Sequence, residues 1–144
     1  MRGCTVILIL CFGIRLFGQQ PASDKKFTDC DKTAKTQADL TECAGTDYKS
    51  ADTELNRTYQ KLLKKAAGDS IAVEKIKASQ RAWIAYRDAQ IAALYPAEDK
   101  QREYGTVFPM CADLALADLT RERTKILRRM LSPTEGDACG GGLE

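Results

Sequence analysis

Three stretches of the chain repeat apolar residues at steps of three and four. Leu40, Ala44, Tyr48, Ala51, Leu55, Tyr59, Leu62 and Ala66 make the longest run, the spacing that lines one face of a helix. Thr36-Gln37-Ala38-Asp39 precedes it as a capping box with Asp in the Glu position. Gly45 interrupts the run at a cost of about 1 kcal/mol relative to alanine, enough to place a kink there. Gly68 ends this helix, and Asp69 or Ser70 can cap the next. The second helix is predicted from about Ile71 to Leu94, with Val73, Ile76, Trp83, Ile91 and Leu94 on its stripe. It stops at Tyr95-Pro96, because proline disfavours helix in the residue before it. Pro96 to Phe108 is predicted as a charged loop, and Pro109 suits the first position of a third helix. That helix carries Leu114, Ala117, Ile126, Leu127, Met130 and Leu131 and ends before Ser132-Pro133.

Short connections make successive helices antiparallel neighbours. The pattern therefore predicts an all-α fold, a small antiparallel three-helix bundle over residues 36–131 with a long first helix. Residues 19–35 are polar and predicted to be extended, and residues 132–144, Gly-rich and polar, are predicted to be disordered. Residues 1–18 read as a signal peptide: Met1-Arg2, an apolar run from Val6 to Ile14, and Leu16-Phe17-Gly18 before a cut at Gln19. The run is shorter than the roughly 20 residues a membrane span needs. A periplasmic or secreted protein is expected, with no stable membrane insertion after cleavage.

Removal of residues 1–18 takes away Arg2 and Arg15 and no acid, leaving 20 basic and 20 acidic residues. A mature chain of zero formal charge has no global field to steer it to nucleic acid or an anionic membrane. Four of the six cysteines remain: Cys30, Cys43, Cys111 and Cys139. An even number in an exported chain suggests disulfides. Cys30–Cys43 closes a short loop and Cys43–Cys111 would staple the first and third helices; both are sterically open, and the short loop is favoured. For Cys111–Cys139, the third helix carries the chain roughly 30 Å away, whereas eight residues back from Leu131 reach about 27 Å. Cys111 and Cys139 stay unassigned. Without histidine or a CxxC pair, no metal site and no cofactor are expected.

The absence of histidine also excludes Ser-His-Asp and Cys-His catalysis. Carboxylate pairs such as Asp47 with Asp52, or Asp113 with Asp118, are ordinary on helical surfaces, and Asn56-Arg57-Thr58 is a sequon placed mid-helix. No enzyme is expected. Two groups stand out for binding. Gln80, Trp83, Arg87 and Asp88 surround the only tryptophan; this motif reads mainly as an internal network, with Arg87 paired to an acid of a neighbouring helix. The predicted loop gathers Lys100, Arg102, Tyr104 and Phe108, and loops on a rigid scaffold carry function disproportionately.

Four separated motifs, taken together, resemble one family. They are Cys30…Thr36-Gln37-Ala38-Asp39-Leu40-Thr41-Glu42-Cys43-Ala44, Tyr48 through Asn56, Gln80-Arg81-Ala82-Trp83-Ile84-Ala85-Tyr86-Arg87-Asp88-Ala89, and Cys111-Ala112-Asp113-Leu114…Leu119-Thr120-Arg121-Glu122-Arg123-Thr124. In this order they are similar to the LprI-like family of small exported bacterial helical domains, named for a lysozyme-inhibiting lipoprotein. The resemblance implies a non-enzymatic binding protein that protects the cell wall by occupying a hydrolase cleft, with a lysozyme-type protein as partner. The alternative is an envelope structural or adaptor module that binds another protein through a helical face. The family motif often ends R-D-A-E-C, where this chain has Gln90-Ile91. The usual partner of Cys111 is thereby missing.

Overall fold

Thr36 starts the first helix by capping it on both sides. Its hydroxyl accepts from the Asp39 amide at 3.1 Å, and the Asp39 carboxylate accepts from the amides of Thr36 and Lys35, each at 2.9 Å. These bonds satisfy donors that a helix start leaves open, and they hold the Asp39 carboxyl below its ordinary range. The computed structural model describes Cys30, residues 32–132 and Gly136. The expected signal peptide, most of the segment before Thr36, Cys139 and most of the tail lie outside those residues.

Helix α1 is Gln37–Lys65, α2 is Ser70–Leu94, a short α3 is Lys100–Tyr104, and α4 is Phe108–Leu131. The described residues contain no strand. At 29 residues α1 is the longest, and it runs through Gly45 without interruption. The Asp69 side chain caps α2, accepting from Ile71 at 2.9 Å and Ala72 at 3.0 Å. Pro109 falls one place later than predicted, in the second position of α4, because Phe108 already opens that helix.

The predicted loop is largely helical, a correction with local causes. The Asp99 carboxylate accepts from the Arg102 amide at 3.0 Å and so starts α3. A 3-10 turn, Gly105–Val107, follows. Gly105 has φ +69°, a left-handed conformation that L side chains resist, and it ends the short helix. Five residues hold too few turns for apolar periodicity to register in the sequence.

With α2 returning the chain, α1 and α4 run parallel. Gln37 reaches Met110 at one end, and the ion pairs Asp47–Arg121 and Glu54–Arg128 join the helices at the same 74-residue offset. Seven residues separate the two rungs on each helix, the repeat of a parallel coiled-coil-like seam. Small side chains let the backbones approach along the upper part. Ala44, Ala117 and Thr120 are fully buried, and Ala51 and Thr124 nearly so. A Cβ added at Gly45 would come within 3.2 Å of the Asp113 carboxylate on α4.

Lower down the seam the side chains enlarge. Leu55, Leu62, Ala66 and Leu127 form a buried cluster with Ile76 of α2, and Trp83, Val73, Tyr59 and Met130 pack partly against it. Burying each leucine side chain contributes about 1.5–3 kcal/mol. The core thus lies toward the end where α1 meets α2. The opposite end is stapled by Cys30–Cys43, whose Cα atoms are 5.8 Å apart. Closing so short a loop stabilises the fold by about 3 kcal/mol in the chain-entropy account. Cys111 is a free thiol, half-buried on α4.

Two core changes should separate packing by size from packing by closeness. Ala117→Leu inserts bulk where no exposed surface remains and should cost about 1–3 kcal/mol. Leu127→Ala should cost about 2–5 kcal/mol through the cavity it leaves. Urea denaturation reads both; an unchanged midpoint for Ala117→Leu would show that α1 and α4 can separate freely.

Candidate functional site

The tryptophan stripe of α2 faces the α1–α4 pair with polar groups set among its apolar ones. Gln80 is buried, and its carbonyl oxygen accepts from Arg123 Nε at 3.1 Å. Arg123, only 8% exposed, also donates Nη2 to the Ser79 hydroxyl at 2.9 Å. Burial lowers the Arg123 pKa, yet both partners are uncharged, and among the described residues no carboxylate pairs with it. Neutral acceptors satisfy its donors without cancelling its charge.

Arg87 does not pair with an acid of a neighbouring helix, as the sequence had suggested. It turns to Asp88, the next residue of its own helix, with Nε and Nη2 donating to one carboxylate oxygen at 2.9 and 2.7 Å. The same guanidinium lies 5.5 Å from the Trp83 ring centre and reaches the Tyr48 hydroxyl on α1 at 3.5 Å. Adjacent helical positions diverge by about 100°, but a long arginine can bend back along its own helix while its stem covers the indole. Burial raises the Tyr48 pKa, with Arg87 opposing the shift. Gln80, Trp83 and Arg87 therefore link α2 to the neighbouring helices, while Asp88, exposed, only holds Arg87 within α2.

The corner between α2 and α4 collects the other candidates. Lys100 Nζ donates to the Tyr95 and Ala97 carbonyls, each at 2.8 Å, closing the open C-terminal end of α2. The Tyr104 hydroxyl accepts from the Ala97 amide at 3.1 Å. Its ring meets Tyr95 edge-on at 5.3 Å, and Phe108 meets Tyr95 likewise at 5.0 Å. Such edge contacts contribute about 0.5–1.5 kcal/mol each beyond burial. Lys100, Tyr104 and Phe108 are thus engaged in building the corner. Arg102 projects from it, exposed.

The sequence reading placed Asp47 among surface carboxylates, which its burial corrects, and gave no role to Arg121 or Arg123. Asp47 is 4% exposed and ion-paired to Arg121, which also approaches Asp118 at 3.6 Å. A spacing signal for Arg123 was available: it lies three residues from Thr120 and four from Leu127, beside the buried Thr124. No group of His, Cys, Asp and Glu among the described residues is arranged to hold a metal ion. No described helix is long and apolar enough to cross a membrane.

These features define a small disulfide-stapled helical domain whose polar side chains bridge its helices and whose corner offers one projecting arginine. Residues 30–127 match the family described as Lysozyme inhibitor LprI. The chain is also 38% identical over 139 residues to an uncharacterized protein of Rhizobium meliloti (strain 1021), covering 89% of this chain and 93% of that one. The chain belongs to the LprI lysozyme inhibitor family. No solved structure matches it.

Two substitutions test the polar bridges. Gln80→Leu leaves Arg123 Nε without its acceptor and should cost about 1–3 kcal/mol. Asp113, pushed above its ordinary carboxyl value of 3.8 by burial with Lys49 opposing, behaves differently. A carboxyl raised in the folded state contributes stability below its unfolded pKa and loses it as pH rises through the folded value. Asp113→Asn should therefore be more stable than the wild type at neutral pH. Melting curves of the two should converge once the pH falls below the unfolded value.

Proposed function

We propose that this chain is an exported, non-enzymatic inhibitor of a lysozyme-type peptidoglycan hydrolase, and that the corner at Lys100–Phe108 enters the enzyme's cleft. The observation that carries this reading is the match to a lysozyme inhibitor family, which extends from the disulfide to the last turns of α4. The corner's construction supports it. Its backbone is held by the Lys100 and Tyr104 bonds and its rings pack on one another. A contact surface ordered before binding loses little entropy on binding. A glycosidase cleft carries two working carboxylates, and an exposed guanidinium suits a carboxylate through its paired N–H groups. A mature chain of balanced charge would rely on such local contacts rather than on long-range attraction.

Lysis of a peptidoglycan suspension by a lysozyme, with the protein at stoichiometric concentration, tests the reading. The wild type should slow lysis. Arg102→Glu should weaken inhibition by about tenfold or more, since a repelling charge in a desolvated contact costs at least 1.4 kcal/mol. Its melting temperature should barely move, because surface changes usually stay within about 0.5 kcal/mol. Full inhibition by Arg102→Glu would move the interface to a helical face, and no inhibition by the wild type would favour an adaptor role.

A further inference from the structure

The parallel pair α1–α4 carries a groove of about 900 Å³ lined by residues of these two helices alone. Its lining includes the cations Lys49, Arg57, Arg121, Lys125 and Arg128 against a single carboxylate, Glu54. Arg121 is committed to the floor, where it is ion-paired to the buried Asp47. Glu54 is shared, accepting from Arg128 at 2.7 Å and from Arg57 at 3.3 Å, so one carboxylate meets two guanidiniums. Lys125 contacts Glu122 at 2.6 Å, but both are about half exposed and that pair is weak in water. Lys49 has no carboxylate within ion-pair distance among the described residues. The lining itself is thus mainly cationic, although Asp47 and Asp118 answer Arg121 from beside the groove and the half-buried Asp113 acts on Lys49.

We propose that this groove binds a linear phosphate-bearing chain, with Lys49, Arg57, Lys125 and Arg128 meeting phosphates at intervals along its length. Planar guanidiniums pair with phosphate oxygens through two parallel N–H bonds. Lys49 and Arg57 stand about 12 Å apart along α1 at 1.5 Å per residue, and Arg121 and Arg128 about 10 Å apart along α4. An extended acidic peptide presents same-face carboxylates about 7 Å apart, so two at most fall within that length. A phosphate chain carries charge at closer intervals. No aromatic side chain lines the groove, which removes the stacking platform that single-stranded nucleic acids use. The corner at Arg102 plays no part, so this site stands apart from the inhibitory reading.

Fluorescence anisotropy with a labelled short inorganic polyphosphate, at physiological salt, tests the assignment on the whole mature chain. The triple change Lys49→Gln, Arg57→Gln, Lys125→Gln keeps both rungs between α1 and α4, Asp47–Arg121 and Glu54–Arg128. It should weaken polyphosphate binding by about tenfold or more, as lost phosphate contacts do. Lys75→Gln, Lys77→Gln, Arg81→Gln removes the same charge from exposed positions of α2 and should leave the affinity within about twofold, since it touches no contact in the groove. Circular dichroism confirms that both variants fold. Equal losses in the two triples would overturn the groove assignment, as would absence of wild-type binding. Polyglutamate binding as tightly as polyphosphate would overturn the phosphate assignment and make the groove an acidic-peptide surface. Lysozyme inhibition should be unaffected by either triple.

Discussion

The close parallel approach of α1 and α4 is the constraint on which the rest of the structure depends. It exists because Ala44, Ala51, Ala117 and Thr120 present almost no bulk to one another, and the distance between packed helices follows the side chains at the contact. Small residues bury little apolar area, so this half of the seam gains little from the hydrophobic effect alone. The ion pair between buried Asp47 and Arg121 and the disulfide at Cys30–Cys43 reinforce the same half. The leucine cluster holds the other half. The domain is thus held by leucines at one end, and by a polar pair, the aromatic corner and a disulfide at the other.

That division explains the odd composition of α2. It contributes Ile76 and Gln80 as its buried residues, whereas Ile84, Tyr86 and Leu94 remain exposed. Along α2 the two kinds of contact interleave: Ile76 and Trp83 fill space against leucines, while Gln80 between them and Arg87 one turn further meet side chains of α4 and α1 by hydrogen bonds. Polar bridges between helices are directional, so α2 can be held in one orientation without a deep apolar interface.

Much of this was legible in the residues. The capping box at Thr36, the Asp69 cap, the limits of the long helices and the Cys30–Cys43 pairing follow from local chemistry and short loop closure. The corner was not legible, because a five-residue helix held by the Lys100 amine and the Tyr104 hydroxyl depends on contacts with no periodic signature. Nor was the fate of Arg87, which rests on a choice between Asp88 and acids of other helices that side-chain reach alone decides. Arg123 shares the core spacing of Thr120, Thr124 and Leu127, but its charge outweighs that signal and makes it read as surface.

The 74-residue offset between partners in the α1–α4 seam also bears on how the domain folds. Helical bundles usually fold fast because most of their contacts are local. Here the tightest helix pair is the first with the last, and the helix between them packs on that pair instead of nucleating it. Leu55 and Leu62 have no leucine partner on α4 until almost all of the domain has been synthesised. The Cys30–Cys43 loop, short and confined to the start of α1, does not shorten that separation. A chain built this way makes its main long-range contacts between its first and last helices, which raises its contact order above that of a bundle whose packing joins successive helices.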